Sequence, residues 1–324
     1  MNLSDIFRFF SPKKEVAAYP KTVIIETTNS CNLRCKMCHV WGEGVTKKRP
    51  VGFMKEEIWE KAFEELSQWD EHVSVALHGA GEPMLHKDLL KILSFASSKK
   101  NLSVGFLSNG TLWTRDFTKA ILDTAIAWVG FSVDGADSEK YRKYRGSDLR
   151  KVEETIEYLA ASRKNSRPSI FLNMVALPDL DSEQYIARWI DTVDEIKISK
   201  YRPVGHRDFL TRKRKRIPCY LLNEMLVVTW EGQAVLCCED IWAENITGAF
   251  PRQSLKEIWH SPEFNRIRTL HNKGDFSAIP ICATCDSWSN PFTDEEFDEA
   301  RNLKIIRSAA QTCYLKTKTA PHQG

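Results

Sequence analysis

The chain lacks long apolar runs, a strong charge of either sign and a signal sequence. No stretch approaches the ~18 apolar residues of a membrane-spanning helix, so no membrane span is predicted. Residues 1–10 include Asp5 and Arg8 and have no long apolar core, which excludes a secretory signal peptide. The net charge of the 324 residues is only +3, and so weak a field indicates neither nucleic acid nor a membrane surface as a partner. We therefore expect a cytoplasmic protein.

The nine cysteines are the most informative residues present. In a reducing cytoplasm they are expected to bind metal rather than form disulfides. Cys31, Cys35 and Cys38 form a CxxxCxxC motif shortly after the apolar run 23–25. A [4Fe–4S] cluster normally takes one thiolate per iron, so three cysteines leave one iron open to a small molecule. The alternatives are a zinc loop, which usually uses paired CxxC or Cys/His ligands, or three unrelated thiols.

Short apolar runs alternate with longer mixed segments from residue 21 to about 204. This alternation indicates a parallel α/β sheet. Strands are predicted at 22–26, 73–77, 102–107, 127–133, 169–175 and 195–201. Helices are predicted at 55–68, 87–97, 115–124, 138–144, 149–162 and 182–192.

Polar turn motifs follow three of these strands. Residues 78–83 read HGAGEP, and residues 108–111 read SNGT. Ser132 and Asp134 follow the fourth strand. Each motif alone is ordinary turn chemistry, so the information lies in their order and spacing. All of them fall at or just after carboxyl ends of predicted strands, where ligands bind in parallel sheets.

Together, the CxxxCxxC, HGAGEP and SNGT motifs resemble those of the radical S-adenosylmethionine (SAM) superfamily. The resemblance implies an α/β fold with a partial (β/α)6 barrel, a [4Fe–4S] cluster and SAM bound to its open iron. In that family SAM is cleaved to a 5′-deoxyadenosyl radical that removes a hydrogen atom from the substrate. A flavodoxin- or ferredoxin-type protein is the implied reductant.

The resemblance also implies which residues bind SAM. Glu82 would accept a hydrogen bond from the SAM ammonium, and Gly81 would let the backbone approach it closely. Met37 occupies the position before the third cysteine, where the family often has an aromatic residue. The predicted SAM-binding residues are Met37, Gly81, Glu82, Ser108, Asn109, Ser132 and Asn173, the last as a guess for a ribose contact.

A basic segment, residues 206–217, separates this region from a second one. It contains six lysines and arginines. A solvated linker is the favoured interpretation, and contact with a phosphorylated substrate or nucleic acid is the alternative. No interleaved aromatic residues support nucleic acid.

The second region contains four more cysteines, in a pattern typical of another metal site. Residues 225–236 read as a β-hairpin with Gly232 at its turn, and a helix is predicted near 254–271. Four thiolates, from Cys219, Cys237, Cys282 and Cys285, can satisfy all four irons of a cluster. A zinc ribbon is the alternative. No CxxxxxCxxxC run follows Cys285.

This layout resembles the SPASM domain, and more closely its shorter twitch form with one auxiliary cluster. The resemblance implies two [4Fe–4S] clusters in total. The predicted organisation is an N-terminal extension, the barrel, the basic linker, a small hairpin-plus-helix twitch domain and a C-terminal tail, at residues 1–20, 21–205, 206–217, 218–290 and 291–324.

The favoured reaction is oxidation of a secondary alcohol in a sugar, aminocyclitol or related small molecule, with the auxiliary cluster as electron acceptor. Twitch dehydrogenases acting on aminocyclitols have this cysteine layout. Arg202 is the predicted substrate clamp, because guanidinium grips oxygen substituents in a fixed fork. Asp240, Tyr201 and Glu239 are weaker catalytic candidates.

Three other functions stay open. Alternation along the strand points Cys238 away from Cys237, so its thiol could return a hydrogen atom to the substrate radical in an epimerase. Peptide or protein modification is disfavoured, because only about twenty residues precede the first strand. A zinc-stapled binding module would be no enzyme at all. Cys313 is expected to be inert.

Overall fold

The computed structural model describes residues 16–46, 48–201 and 215–317. Its strands are β1 (Thr22–Ile25), β2 (Val73–Leu77), β3 (Leu102–Ser108), β4 (Trp128–Ser132), β5 (Ser169–Ala176), β6 (Glu195–Lys200), β7 (Met225–Val228), β8 (Gln233–Val235), β9 (Ile246–Ala249), β10 (Asp294–Asp298), β11 (Leu303–Arg307) and β12 (Gln311–Lys316). Its α-helices are α1 (Glu56–Ser67), α2 (Leu89–Ser97), α3 (Arg115–Leu122), α4 (Ser138–Arg145), α5 (Leu149–Ser162), α6 (Ser182–Trp189), α7 (Leu255–Trp259), α8 (Pro262–Asn272) and α9 (Pro280–Ala283). Among the described residues, no helix has the length and apolarity to cross a bilayer.

The first six strands form the barrel sheet. β1 to β6 are parallel, and each pairs with the next one along the chain. Helices connect them, with α4 and α5 both lying between β4 and β5. The predicted strands, helices and partial α/β barrel are therefore confirmed, with ends that shift by a few residues.

Alternation along the strands separates two faces of this sheet. Residues such as Val23, Val75 and Leu172 pack against the helices in the large apolar core. The other face, which we call the barrel interior, has a smaller apolar cluster of Ile24, Ala76, Trp128, Phe171, Val227 and Val235. The barrel interior also carries polar side chains, because it borders the candidate active site and not the large apolar core.

The second cysteine region extends the sheet beyond β1. β7 pairs with β1 in parallel, and β8 and β9 follow as antiparallel strands. The predicted hairpin is confirmed. The helix predicted near 254–271 is two helices, α7 and α8, because Ser261 caps α8 and Pro262 begins it.

The predicted C-terminal tail is wrong for residues 294–316. β10, β11 and β12 form an antiparallel unit, and β12 pairs with β6. The sequence did not suggest these strands, because β10 reads DEEFD and all five of its residues are at least partly exposed. Because β12 pairs with β6, it extends the barrel interior beyond β6.

Candidate active site and auxiliary cluster site

The cluster loop, residues 31–38, follows β1 at the carboxyl edge of the sheet. Burial is the main reason that the pKa of Cys31 is raised to about 11, and the nearby Cys35 and Cys38 thiols add to the rise. The CxxxCxxC spacing keeps the three thiols within one short loop. Their arrangement fits a shared iron–sulfur cluster, whose binding would displace the thiol protons.

Arg145 brings a buried positive charge to the cluster loop. Its Nε donates to Asp134 Oδ2 at 2.6 Å, and its Nη1 lies 4.0 Å from Cys35 Sγ. Asp134 also accepts from the backbone N–H of Val175 at 2.6 Å. Burial raises the pKa of Cys35, whereas Arg145 opposes this rise by favouring the thiolate. Arg145 is thus a positioning residue that the sequence analysis missed.

Backbone amides surround the third cysteine. Cys38 Sγ accepts from the N–H groups of Trp41 at 3.2 Å and Val40 at 3.5 Å. The Trp41 indole donates to the carbonyls of Asn29 and Ala80, both at 2.9 Å. The cluster loop is therefore tied to the HGAGEP turn after β2.

Glu82 joins the ends of β2 and β3. Its Oε1 accepts from Ser108 Oγ at 2.8 Å, and its Oε2 accepts from the Asn109 N–H at 2.7 Å. Asn109 Nδ2 also donates to Asn32 Oδ1 in the cluster loop at 2.9 Å. Burial raises the pKa of Glu82, although these hydrogen bonds favour its ionised form. Ser108 and Asn109 thus shape the site, and contacts of all three residues with SAM stay predictions.

Gly81 lies where the HGAGEP turn touches the chain before the cluster loop. A Cβ at this position would come 2.4 Å from the Ser30 carbonyl oxygen, so only glycine allows the contact. The Glu82 N–H donates to that same oxygen at 2.7 Å. Met37 lies half-buried in the cluster loop, and its predicted adenine contact is untested.

A row of side chains crosses the barrel interior at one level of the sheet. Register pairs Ser132 with Asn173, Asn173 with Lys197, and Lys197 with Cys313. Asn173 Oδ1 accepts from Ser199 Oγ at 2.9 Å. Two predicted SAM-binding residues, Ser132 and Asn173, therefore adjoin a buried cation and a buried thiol that no motif indicated.

Charged groups of both signs lie beside this row. Lys197 Nζ lies 3.7 Å from Glu195 Oε2 and 4.1 Å from the centroid of the Phe171 ring. Burial and the positive charge of Lys197 together lower the pKa of His78 to about 4. The His78 imidazole is therefore neutral at pH 7 and able to accept a hydrogen bond.

A buried ion pair connects the barrel to the second cysteine region. Glu26, directly after β1, accepts from Arg49 Nη2 at 2.5 Å and from the Ala80 N–H at 2.9 Å. Arg49 Nη1 donates to the Ile241 carbonyl at 3.2 Å, and the Trp230 N–H points to Glu26 Oε1 at 3.4 Å. The HGAGEP turn and the hairpin are thus held by one carboxylate.

The other four predicted ligands line a single pocket, which we call the auxiliary cavity. Its walls include the cysteines Cys219, Cys237, Cys282 and Cys285. Burial raises the pKa of Cys282 to about 11 and those of Cys219 and Cys237 further. Buried neutral thiols around a cavity fit a group that takes four thiolates and releases their protons.

The four thiols of the auxiliary cavity do not converge on one point, since within the described ranges no three His, Cys, Asp or Glu side chains lie closely enough together to hold a single metal ion. Four thiolates can satisfy all four irons of a [4Fe–4S] cluster, and four also complete the tetrahedron around a zinc ion.

Cys237 and Cys238 face opposite sides of their strand end. Cys237 belongs to the large core, whereas Cys238 packs against the apolar cluster of the barrel interior. Asp240 uses both carboxylate oxygens locally, accepting from the N–H groups of Glu244 at 3.0 Å and Asn245 at 2.9 Å. These bonds indicate that Asp240 shapes its loop, and its catalytic role stays a prediction.

The remaining substrate candidates are dispersed. Arg202 and residues 206–214 of the basic linker lie outside the described residues. Tyr201 is 41% exposed, and Glu239 accepts from Ser287 Oγ at 3.0 Å beside the auxiliary cavity. Arg216, at the end of the linker, is not a solvated charge. Its guanidinium donates to the carbonyls of Cys282 at 2.5 Å and Ala283 at 3.2 Å.

Comparison with known protein families identifies the chain. The model of the radical SAM superfamily matches residues 25–190, just over half of the chain. The chain belongs to the radical SAM superfamily. The model of SPASM, an iron–sulfur cluster-binding domain, matches residues 219–286 of this radical SAM enzyme. The resemblance inferred from the motifs is confirmed.

Relatives of this radical SAM enzyme include a characterised dehydrogenase. The S-adenosyl-L-methionine-dependent 2-deoxy-scyllo-inosamine dehydrogenase of Niallia circulans is 22% identical over 276 residues, which cover 85% of this chain and 95% of that protein. The crystal structure of BtrN in complex with AdoMet and 2-DOIA matches with a TM-score of 0.58 at 17% identity, covering 83% and 93% of the two chains. Streptococcus suis SuiB bound to S-adenosylmethionine matches with a TM-score of 0.64 at 15% identity, covering 83% and 73%. These structural likenesses show the fold.

Family membership implies SAM and a [4Fe–4S] cluster, and the SPASM match implies an additional cluster. The residues present fit both groups. If they ligate the clusters as predicted, the three thiols of the cluster loop would leave one iron open for SAM, and the four thiols of the auxiliary cavity would leave none open.

Proposed function

We propose that this radical SAM enzyme oxidises a secondary alcohol of a sugar, aminocyclitol or related polyhydroxylated small molecule to a ketone. The observation that carries the proposal is the auxiliary cavity, where four thiols can ligate a cluster fully and leave it free to exchange electrons only. The likeness to a 2-deoxy-scyllo-inosamine dehydrogenase along 95% of that protein supports the substrate class.

The reaction balances as a two-electron oxidation. When bound, the first cluster with SAM supplies the 5′-deoxyadenosyl radical, and the auxiliary cluster supplies an electron acceptor. The substrate carbon would give a hydrogen atom to the 5′-deoxyadenosyl radical, which becomes 5′-deoxyadenosine, while its hydroxyl loses a proton and one electron passes to the auxiliary cluster. One SAM is consumed per ketone. The one electron needed to cleave SAM comes from a flavodoxin- or ferredoxin-type protein, and the one electron taken from the substrate leaves through a carrier of the same type, so the electrons balance.

The barrel interior supplies groups that suit a hydroxylated substrate. The Lys197 ammonium, beside Glu195 and Phe171, donates hydrogen bonds suited to hydroxyl oxygens. The neutral His78 imidazole can accept a hydrogen bond from the reacting hydroxyl, whose proton becomes strongly acidic once its carbon is oxidised. Ser132 and Asn173 complete a polar row across the sheet. These residues bind and orient the substrate, whereas the apolar cluster of the barrel interior excludes water.

Replacing Lys197 by Met should separate SAM cleavage from product formation. A hydrogen bond to a charged group contributes about 1.5–3 kcal/mol, so kcat/KM for the ketone should fall about tenfold or more. The cluster loop is untouched, so 5′-deoxyadenosine should still form without substrate turnover. The control is Lys200→Met, an exposed lysine at the end of the same strand. Normal ketone formation by Lys197→Met would show that the cation does not bind the substrate.

Turnover in D2O tests oxidation directly. An oxidation transfers the substrate hydrogen to 5′-deoxyadenosine and returns none from solvent to that carbon. We expect a product two hydrogen masses lighter than the substrate, without deuterium at the reacting carbon. Mass spectrometry and NMR of the product provide the measurement.

Epimerisation is the second candidate, because Cys238 faces the barrel interior. A solvent-exchanged thiol would deliver one deuterium atom to a product of unchanged connectivity, and one electron from the reductant with one deuteron from solvent would restore the thiol. If the unsubstituted enzyme formed such a product and Cys238→Ala did not, the reaction would be an epimerisation and not an oxidation.

A further inference from the structure

His271 lies in the last turn of α8 and lines the auxiliary cavity. Its side chain is buried, at 2% exposure. Its Nδ1 accepts a hydrogen bond from the backbone N–H of Cys219 at 3.3 Å. An Nδ1 that accepts carries no proton, so the neutral imidazole must carry its proton on Nε2. The contact with Cys219 therefore fixes the tautomer of His271.

The Nε2 atom of His271 is buried and has no hydrogen-bond partner among the described residues. Buried N–H groups are rarely left without a partner. The Phe276 ring packs edge-on against the imidazole, with centroids 5.2 Å apart, and fixes its orientation. The acceptor of this N–H is thus expected in the cavity that His271 lines.

Arg216 adds a positive charge to the same wall. Its guanidinium is held by the Cys282 and Ala283 carbonyls and lies 4.1 Å from the centroid of the Phe276 ring. The cation is therefore fixed beside two predicted ligands, Cys282 and Cys285. The auxiliary cavity, which would hold four thiolates, is thus lined by an N–H donor, His271, and by a cation, Arg216.

We propose that His271 donates a hydrogen bond from Nε2 to a sulfur of the auxiliary cluster and thereby raises its reduction potential, with Arg216 acting in the same direction. Hydrogen bonds to cluster sulfurs and nearby positive charge stabilise the reduced, more negative state. The proposal rests on the proposed role of the auxiliary cluster as electron acceptor. A raised potential makes the cluster a better acceptor for the electron that leaves the substrate.

Two substitutions of His271 separate its two nitrogens. In His271→Asn, the side-chain oxygen takes the place of Nδ1 and accepts from the Cys219 N–H, but the distal N–H is lost. In His271→Gln, an amide N–H can occupy the place of Nε2. The reduction potential is measured by EPR-monitored titration of the full-length chain carrying Cys31→Ala, Cys35→Ala and Cys38→Ala, so that only the auxiliary cluster contributes.

We expect His271→Asn to shift the reduction equilibrium at least tenfold towards the oxidised cluster, a potential about 59 mV lower for one electron. His271→Gln should stay near the potential of the unsubstituted histidine. Equal potentials for the triple cysteine variant with His271 and for the same variant with His271→Asn would overturn the proposal. The shift does not depend on substrate, so a correct potential without ketone formation would count against the proposed function alone.

A second measurement uses the unsubstituted histidine, in case His271→Asn fails to hold its cluster. Pulsed EPR of the reduced auxiliary cluster in protein labelled with [15N]histidine should show one weakly coupled nitrogen. No coupling would overturn the hydrogen bond. A strong coupling would also overturn it, because it would indicate direct ligation of iron by His271.

Discussion

Combining Cys31→Ala, Cys35→Ala and Cys38→Ala should abolish SAM cleavage and leave about four of about eight irons per chain. These three thiols belong to the cluster loop, whereas the other four predicted ligands line the auxiliary cavity. Removing one set should therefore empty one site only. The measurement is iron and sulfide analysis after anaerobic reconstitution, together with chromatography of 5′-deoxyadenosine.

Lys36→Ala is the matched control for this experiment. Lys36 is exposed in the same loop, and its backbone N–H donates to the Tyr144 carbonyl at 2.8 Å, a bond that the substitution keeps. It should retain both clusters and SAM cleavage. Eight irons in the triple variant would refute the assignment of the cluster loop. A colourless protein after reconstitution of the unsubstituted chain would point to zinc in both sites.

Much of the barrel could be predicted because its signals are local. The run 73–77 is buried throughout and bounded by polar residues, so β2 has the same limits in the sequence and in the structure. Turn motifs fall at carboxyl ends of strands because the topology of a parallel sheet places them at one edge. The cysteine motifs were found without tertiary information, since three cysteines in one loop predict an open ligand set and four predict a closed one.

The charged residues of the barrel interior were missed, although a signal was present. In β6, Ile196 and Ile198 join the helix-facing core, so alternation assigns Glu195 and Lys197 to the opposite face. The sequence of β6 alone therefore predicts that the charges of Glu195 and Lys197 lie in the barrel interior. Arg145 and His271 gave no such signal, because each meets a cysteine far away in the sequence.

The auxiliary site is joined to the barrel by the sheet itself. β7 pairs with β1 over four residue pairs, and Glu26 holds the HGAGEP turn and Arg49 together beside the hairpin. None of these contacts involves Cys282 or Cys285. Loss of the auxiliary cluster should therefore leave the barrel, the cluster loop and the SAM site in place.

Replacing Cys282 and Cys285 together by Ala should consequently abolish ketone formation while SAM cleavage stays detectable. The cluster loop still supplies the radical chemistry, but the electron from the substrate has no acceptor, so cleavage becomes uncoupled from product. Comparing 5′-deoxyadenosine with ketone per enzyme measures the coupling. Thr284→Ala, an exposed residue between the two cysteines, is the control and should keep normal coupling. Ketone formation at the normal rate in the double variant would show that the auxiliary cluster is not the electron acceptor, and simultaneous loss of SAM cleavage would show that it is needed before the radical forms.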